Sequence, residues 1–304
     1  MAVGEIISAA RYNSLQAKVA NVLGNGAGDF GYGQDLTSNQ MTSTTGLTIT
    51  SDTDTTIVRA THMQKLKTDI TTAYFHQNNS APTLTDVVAD TDITDAVYIQ
   101  YSAVVDDVYT NRLDYDINQV TGPEFKKDSQ RTTVWGGSGE PQTIIHEVDI
   151  EFNNADHLRH FFNSGGEIRH NTTFTSGTGT KYTEWRSMAT TLGVLVLNYL
   201  NTTASSGSSY GLGVYDLTTT YQTIFTKTGS GVYSDNLITY KARIVDKTLT
   251  IRVEYYDGEP AVGGVLGIDE QVTGIITSIF EQQRSTGSVV VSTPAYYNRK
   301  ELNA

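Results

Sequence analysis

The 304-residue sequence contains no cysteine, only 5 prolines and no long apolar run. The absence of cysteine excludes disulfide bonds, thiolate nucleophiles and cysteine-ligated zinc sites. No apolar run approaches the about 18 residues that indicate a transmembrane helix, and the N-terminus has no charged segment followed by an apolar one. We therefore expect neither membrane insertion nor a standard secretion signal. Stability must come from burial and, we expect, from assembly.

Positive charge is also scarce. The chain has 21 Lys and Arg against 33 Asp and Glu, a net charge of −12, and no basic cluster larger than the Lys126-Lys127 pair. Because such a chain repels phosphates, we expect no direct binding to nucleic acid. The 18 Tyr and 27 Gly favour β-structure with polar turns. This composition is typical of surface and virion proteins rather than of enzymes.

Length and a change of composition favour two domains. Single hydrophobic cores usually stop growing at roughly 250–300 residues. Residues 121–142 combine Pro123, Pro141, Gly136, Gly137 and Gly139 with several charges, which is typical of a linker. We therefore predict an N-terminal attachment module over 1–120, a linker over 121–142 and a second domain over 143–304.

Three short helices are predicted in the N-terminal module. The first is capped by Ser8 and ends before Gly24, the second lies within 60–79, and the third spans 95–114. Their predicted apolar faces are Tyr12, Leu15, Val19 and Val22; Met63, Leu66, Ile70 and Ala73; and Val97, Tyr101, Val104 and Val108. His62 and His76 fall outside these faces. Residues 27–46 are predicted as an extended loop, and its length suggests contact with a neighbouring subunit.

Alternating apolar and polar residues predict strands in the second domain. The predicted strands are 143–152, 166–174, 220–228, 236–245, 248–256, 272–283 and 287–292. Asp246-Lys247 has the length of a hairpin turn. Helices are predicted over 154–163 and 183–199. The fold class predicted for the whole chain is α+β: short N-terminal helices with an extended loop, followed by an antiparallel β-sandwich decorated with two helices.

Few motifs indicate chemistry. The stretch GAGDFG, residues 26–31, matches the spacing of a dinucleotide-binding loop, but it follows a predicted helix where that loop needs a preceding strand. The signatures of P-loop nucleotide hydrolases, nucleophile-elbow hydrolases and HExxH metalloproteases are absent. We therefore predict no catalytic residue and no cofactor.

The stretch NNADHLRHFFNSGGEIRHN, residues 153–171, holds three of the six histidines. His157 and His160 are three residues apart on a predicted helix, and His170 and Glu167 could complete a metal site. The alternative is a structural joint, in which Leu158, Phe161 and Phe162 hold a short helix to the sheet and the glycines turn the chain into a strand. We favour the joint and keep these four residues as candidate metal ligands.

Two surface features allow binding. Glu147, Asp149 and Glu151 alternate along one strand and are predicted to form a row facing solvent, and Asp-x-Asp pairs elsewhere could bind calcium. The pairs Tyr255-Tyr256 and Tyr296-Tyr297 are predicted to be exposed, where they could stack on sugars or anchor a protein interface.

Three blocks resemble virion structural proteins of contractile-tailed cyanophages and related bacteriophages. They are MAVGEIISAARYNSLQAKVANVLGNGAGDFGYGQ (1–34), FNNADHLRHFFNSGGEIRHN (152–171) and GIDEQVTGIITSIFEQQRSTGSVVVSTPAYYN (267–298). The resemblance implies a tail- or neck-associated structural protein without enzyme activity or cofactor, located in the virion. The chain lacks the β-helical repeats and collagen-like tracts of long tail fibres, which favours a compact collar, baseplate or fibre-adaptor component.

The expected function is therefore non-enzymatic assembly with other virion proteins and with copies of itself, in three- or six-fold symmetry. Three alternatives stay open. One is a module that recognises host-surface glycan, one is a capsid decoration protein, and one is a metal-dependent hydrolase that uses the histidine cluster.

Overall fold

The computed structural model describes residues 8–41, 58–137, 140–258 and 271–303. The chain forms two compact units, each assembled from separate parts of the sequence. The helical unit consists of Met1–Thr121, Arg159–Gly165 and Arg284–Ser292. The sandwich unit consists of Gly122–Leu158, Gly166–Gln283 and Thr293–Ala304. The predicted α+β class is confirmed.

The helical unit contains the three predicted helices, α1 (Ala9–Leu23), α2 (Ala60–Asn78) and α3 (Asp95–Thr110). The Ser8 hydroxyl accepts a hydrogen bond from the Arg11 amide, which satisfies one of the free donors at the start of α1. Asn79 ends α2 in the left-handed conformation, with a φ of 50°. The last helix stops four residues before its predicted end, because the chain leaves the helix at Asn111 and turns.

The predicted apolar faces of α1 and α2 are buried in the core of the helical unit. On α3 the buried residues are Tyr101, Val105 and Val108, so Val105 takes the place predicted for Val104.

His76 was predicted outside the apolar face of α2, and this is wrong. It is fully buried with its ring edge-on to Tyr32, 4.9 Å between centroids, because the segment after α1 folds back over α2.

The described part of the predicted loop after α1, residues 27–41, packs on its own unit. Asp69 of α2 accepts hydrogen bonds from the amide and hydroxyl groups of both Thr37 and Ser38, at 2.5–3.0 Å. Asn13 of α1 exchanges hydrogen bonds with the backbone of Met41. Contacts within the helical unit therefore account for the path of this segment; the rest of the predicted loop, 42–46, lies outside the described residues.

The sandwich unit is built from two antiparallel sheets and two helices, α4 (Ala155–Asn163, shared with the helical unit) and α5 (Thr180–Leu192). Its strands are β1 (Glu124–Arg131), β2 (Thr143–Glu151), β3 (Glu167–Thr175), β4 (Leu195–Leu197), β5 (Thr202–Thr203), β6 (Ser208–Ser209), β7 (Gln222–Thr228), β8 (Leu237–Val245), β9 (Thr248–Tyr256), β10 (Ile275–Gln283) and β11 (Ala295–Asn303). The sheet orders are β1-β10-β3-β4-β5 and β11-β2-β9-β8-β7-β6.

The inward residues of both sheets form the core of the sandwich unit. On β9 these are Leu249, Ile251, Val253 and Tyr255, as the alternation predicts. The hairpin between β8 and β9 is also confirmed: Val245 pairs with Thr248, and Asp246 supplies a φ of 54° that glycine would usually provide.

Two predictions about this part of the chain are wrong. Residues 287–292 form no strand; they belong to the helical unit, where the Ser285 hydroxyl donates to the Val289 carbonyl in a tight turn. The predicted helix 183–199 ends at Leu192, because Gly193 has a φ of 70° and the following LVL joins the sheet as β4. The predicted linker 121–142 contains β1, an edge strand whose sequence EFKKDSQR shows little apolar alternation.

Among the described residues, no helix has both the length and the apolar character that crossing a membrane requires.

Candidate functional site

The histidine-rich stretch 153–171 forms a helix, a turn and a strand, as the joint interpretation predicts, but Phe161 and Phe162, predicted to hold the helix to the sheet, belong to the helical unit. Leu158, Phe161 and Phe162 of α4 are buried. Gly165 turns the chain with a φ of 86°, and a Cβ atom there would collide with the ring of Tyr115. Strand β3 then begins at Glu167.

The four candidate metal ligands use their polar atoms for different partners. His157 Nδ1 lies 3.2 Å from the Asn153 side chain, and His160 Nε2 lies 3.1 Å from the Asn25 carbonyl oxygen. His170 Nδ1 lies 2.9 Å from the Tyr240 hydroxyl, and Glu167 accepts from Arg169 at 3.0 Å. In the part of the chain that the structure describes, no three His, Asp or Glu side chains are arranged to hold a metal ion.

Arg159, which was not a candidate site residue from the sequence, is the central residue of this joint. Its guanidinium donates to the carbonyl oxygens of Phe30, Asn25 and Gly26 at 3.0, 2.6 and 3.1 Å. Asn163 donates to the Gly31 carbonyl at 3.2 Å. The GAGDFG stretch thus directs carbonyl oxygens at a cation, whereas a phosphate site needs its amide groups. We call these contacts the arginine clamp.

A second group of polar side chains lies in the core of the sandwich unit. His146 Nδ1 is 2.7 Å from the Ser278 hydroxyl, which is 2.8 Å from the Tyr255 hydroxyl, and that in turn is 2.7 Å from Thr172. A serine beside a histidine is the composition of a nucleophile and its base. Here both side chains are completely buried, so a substrate cannot reach the hydroxyl.

Burial also makes these histidines poor bases. Burial, with a smaller contribution from the nearby charge of Arg131, lowers the pKa of His146 to about 4. Burial likewise lowers the pKa of His170 to about 3, with a smaller contribution from His146. At neutral pH both imidazoles are uncharged and serve as hydrogen-bonding core residues.

The predicted row of solvent-facing carboxylates is only partly correct. Glu147 is buried, because Arg252 contacts its Oε2 at 2.7 Å and the Tyr221 hydroxyl donates to the same atom at 2.6 Å. The Tyr221 ring lies against the guanidinium groups of Arg243 and Arg252. This carboxylate therefore anchors a network on the outer face of the six-stranded sheet and is not available to a ligand.

The predicted tyrosine pairs are each split between interior and surface. Tyr255 is in the core and Tyr256 is exposed, while Tyr296 donates to Gln282 and Tyr297 is exposed. This follows from strand alternation, since neighbouring residues face opposite sides of a sheet.

Two exposed tyrosines lie in a segment for which the sequence predicted no site. Residues 198–217, here called the tyrosine loop, connect β4 to β7 and contain β5 and β6, the edge strands of the two sheets. Tyr210 and Tyr215 are exposed, and Tyr215 lies 6.2 Å from the ring of Tyr199. The available signal was the composition of the loop, since Tyr, Ser, Gly and Asn together are typical of antibody combining loops.

Comparison of the chain with protein-family models, with curated proteins and with solved structures found no match.

Proposed function

We propose that the protein is a non-enzymatic structural component of a tailed bacteriophage virion, in the tail, the neck or collar, or the baseplate and fibre-attachment region. In this proposal it acts by binding other virion proteins and copies of itself, in a three- or six-fold homo-oligomer. The helical unit is the attachment end and the sandwich unit is displayed.

The observation that carries the proposal is that parts of all three resembling blocks meet in the helical unit. Residues 8–34 form α1 and the segment after it, residues 159–165 carry the arginine clamp, and residues 284–292 return to the same unit. Gln34 and Val290, from the first and last blocks, exchange two hydrogen bonds at 3.0 and 3.2 Å. These parts of the three blocks thus pack in one unit, which is the expected arrangement if the resemblance reflects a shared attachment module.

Exposed apolar side chains on the helical unit also support assembly. Val88, Ile99, Ile117 and Val290 each expose more than half of their surface. Isolated exposed apolar residues are common, yet several on one unit of an acidic protein are the kind of surface that subunit contacts cover.

Native mass spectrometry of the purified chain over a range of concentrations tests the proposal. We expect a closed oligomer of three or six copies, and Ile99→Asp, at a side chain that is 58% exposed, should shift it towards monomer. Val232→Asp is the matched control, because Val232 is 60% exposed but belongs to the sandwich unit.

Localisation on phage particles completes the test. Density for the protein in the tail, neck or baseplate supports the proposal, and density on the capsid surface supports the alternative of a decoration protein. A chain that stays monomeric at every concentration and is missing from purified particles contradicts both.

A further inference from the structure

We propose that the tyrosine loop and the groove beside it bind an uncharged oligosaccharide. This inference concerns the sandwich unit alone and holds whether or not the protein is part of a virion. The proposed binding surface is different from the tyrosine pairs and the carboxylates that the sequence suggested.

The first observation is the absence of charge. The sequence from 187 to 215 contains no Asp, Glu, Lys, Arg or His, in a chain whose net charge is −12. Two charged side chains contact the loop: Lys227 donates to the Ser206 hydroxyl at 2.8 Å, and Asp216, within the loop, accepts from the Gly213 amide at 2.9 Å. Apart from Asp216 in the loop and Arg186 in the groove beside it, this surface carries no charge, and a sparsely charged surface on an acidic protein suits a neutral ligand better than an ionic one.

The second observation is the pairing of exposed rings with exposed hydroxyl groups. Tyr210 is 57% exposed, and Tyr215 and Leu200 are exposed on the same loop. Between them lie exposed hydroxyl side chains, namely Thr203, Ser205, Ser208 and Ser209. Sugars have both apolar C–H faces and many hydroxyls, so they match flat rings that alternate with small hydrogen-bonding groups.

The third observation is that the loop is held in one conformation by its own hydrogen bonds. Asn198 Oδ1 accepts from the amides of Leu200 and Asn201, each at 2.9 Å. The Thr202 hydroxyl donates to the Leu212 carbonyl at 2.8 Å, and the Ser209 hydroxyl donates to the Thr202 carbonyl at 2.6 Å. Because the loop is already ordered, binding does not have to order it, which favours recognition of a weakly interacting ligand such as a sugar.

A groove extends this surface. It has a volume of about 440 Å³ and is lined by residues of β3, by α5 and by the turn that follows α5, including Asn171, Arg186, Thr190 and Gly193. The tyrosine loop borders it at Gly193, where Ser205 packs and where the Ser205 amide donates to the Leu192 carbonyl at 3.0 Å. The groove falls in the size range of small-ligand sites, and its polar groups are amides, hydroxyls and one guanidinium.

A second copy of the chain is the competing occupant. The cores of protein interfaces are continuous apolar patches from which polar groups are largely excluded. In the tyrosine loop, exposed threonine, serine and glycine residues lie in sequence between the exposed Leu200 and Tyr210, and the exposed Gly211 follows Tyr210, so polar groups stand among the apolar side chains. The surface therefore favours a sugar over a subunit interface.

The experiment is a glycan array probed with the full-length chain, followed by titration of the best ligand by isothermal calorimetry. We expect binding to neutral oligosaccharides in preference to sialylated, sulfated or uronic acid glycans, unchanged by chelator and by added salt. Tyr210→Ala should weaken binding roughly tenfold, and Tyr210→Phe should retain most of it because the ring is kept. Tyr297→Ala, at a tyrosine that is 54% exposed on β11, is the matched control and should bind like the unmodified chain.

Three results overturn the inference: no neutral glycan bound at millimolar concentration, an equal loss with Tyr210→Ala and Tyr297→Ala, or a Tyr210→Ala variant that changes the oligomeric state but binds glycan normally. The last would assign the loop to a subunit contact. Failure of glycan binding with an intact oligomer leaves the proposed structural role standing, so the two proposals fail separately.

Discussion

Three of the described histidines are buried side chains that carry no charge at neutral pH. His76 lies in the helical unit, and His146 and His170 lie in the core of the sandwich unit. Burial lowers the pKa of His76 to about 4, similar to His146, and the pKa of His170 to about 3. His170, a candidate metal ligand from the sequence, is thus a core residue, and His146 and His170 each make one hydrogen bond there, to Ser278 and Tyr240.

Acid should destabilise the sandwich unit through His146 and His170. Their folded pKa values lie below the ordinary value of about 6.5, so the unfolded chain takes up protons that the folded chain does not. Stability is therefore complete above pH 6.5 and falls by up to about 1.4 kcal/mol per pH unit for each histidine as pH drops towards 4. Urea denaturation at pH 7.5, 5.5 and 4.5 measures this slope.

Comparison of variants isolates the effect of one histidine from that of the carboxylates. His170→Phe should be less stable at pH 7.5, because Tyr240 loses its partner, but its stability should fall less steeply below pH 6.5. Val232→Ala, at an exposed side chain of the sandwich unit with no titratable group, is the control and should keep the slope of the unmodified chain. An unchanged slope in His170→Phe would contradict this account.

At the scale of elements, the strands with one apolar face were predictable and the edge strands were not. One side of β9 faces the core and the other faces solvent. The alternation of apolar and polar residues along this strand therefore predicted each residue of the core-facing side correctly. Strands β1 and β11 are edges of their sheets and carry runs such as EFKKDSQR and AYYNRKELN, in which charge obscures the pattern. The run LVL after Gly193 was predicted as part of a helix, because three consecutive apolar residues show neither the periodicity of a helix nor that of a strand.

The candidate site was harder to predict than the fold, because its contacts join residues far apart in sequence. His157 and His160 share a helix, but His160 contacts the carbonyl of Asn25. Glu147 alternates like a surface residue and is buried by Arg252 and Tyr221. The local sequence gives no signal for tertiary contacts of this kind. The spacing of residue types could therefore suggest a site but could not predict which side chains contact one another.

A buried ion pair ties α5 to the end of β9. Lys181 Nζ lies 2.6 Å from Asp257 Oδ2, also donates to the Gly136 carbonyl at 3.1 Å, and neither side chain is exposed. Asp257→Asn should lower the free energy of unfolding by about 3–5 kcal/mol, because it leaves an ammonium group buried without its counter-charge. Thermal and urea denaturation measure this loss.

The double variant Lys181→Met, Asp257→Leu should recover much of that loss, since two apolar side chains need no partner. Lys18→Ala removes an exposed pair with Asp106 and serves as the control, with an expected change within about 0.5 kcal/mol. Equal effects of Asp257→Asn and Lys18→Ala would show that burial of the first pair does not matter to stability.

At the scale of the whole molecule, neither unit corresponds to one continuous part of the sequence. The helical unit takes residues from three segments, the last of which ends at Ser292. A fragment of residues 1–121 lacks the arginine clamp and the partner of Gln34, so its carbonyl groups at Asn25, Gly26 and Phe30 lose their donors. We expect this fragment to unfold without cooperativity.

Circular dichroism melting and amide NMR dispersion of the 1–121 fragment, compared with the full chain, test this expectation. Adding a peptide that spans residues 155–166 should not restore cooperativity, because segment 284–292 is still missing. A fragment that melts cooperatively alone would contradict the discontinuous architecture.

The chain leaves the helical unit and later returns to it, and this path also determines when the helical unit can fold during synthesis. Domains usually fold from the N-terminus as the ribosome releases them. Here the first helices must wait, since the segment that binds Gln34 is translated more than 250 residues later. The nascent helical unit therefore lacks the contacts of residues 284–292 until that segment is synthesised, and we expect chaperones to keep the unit from aggregating until then.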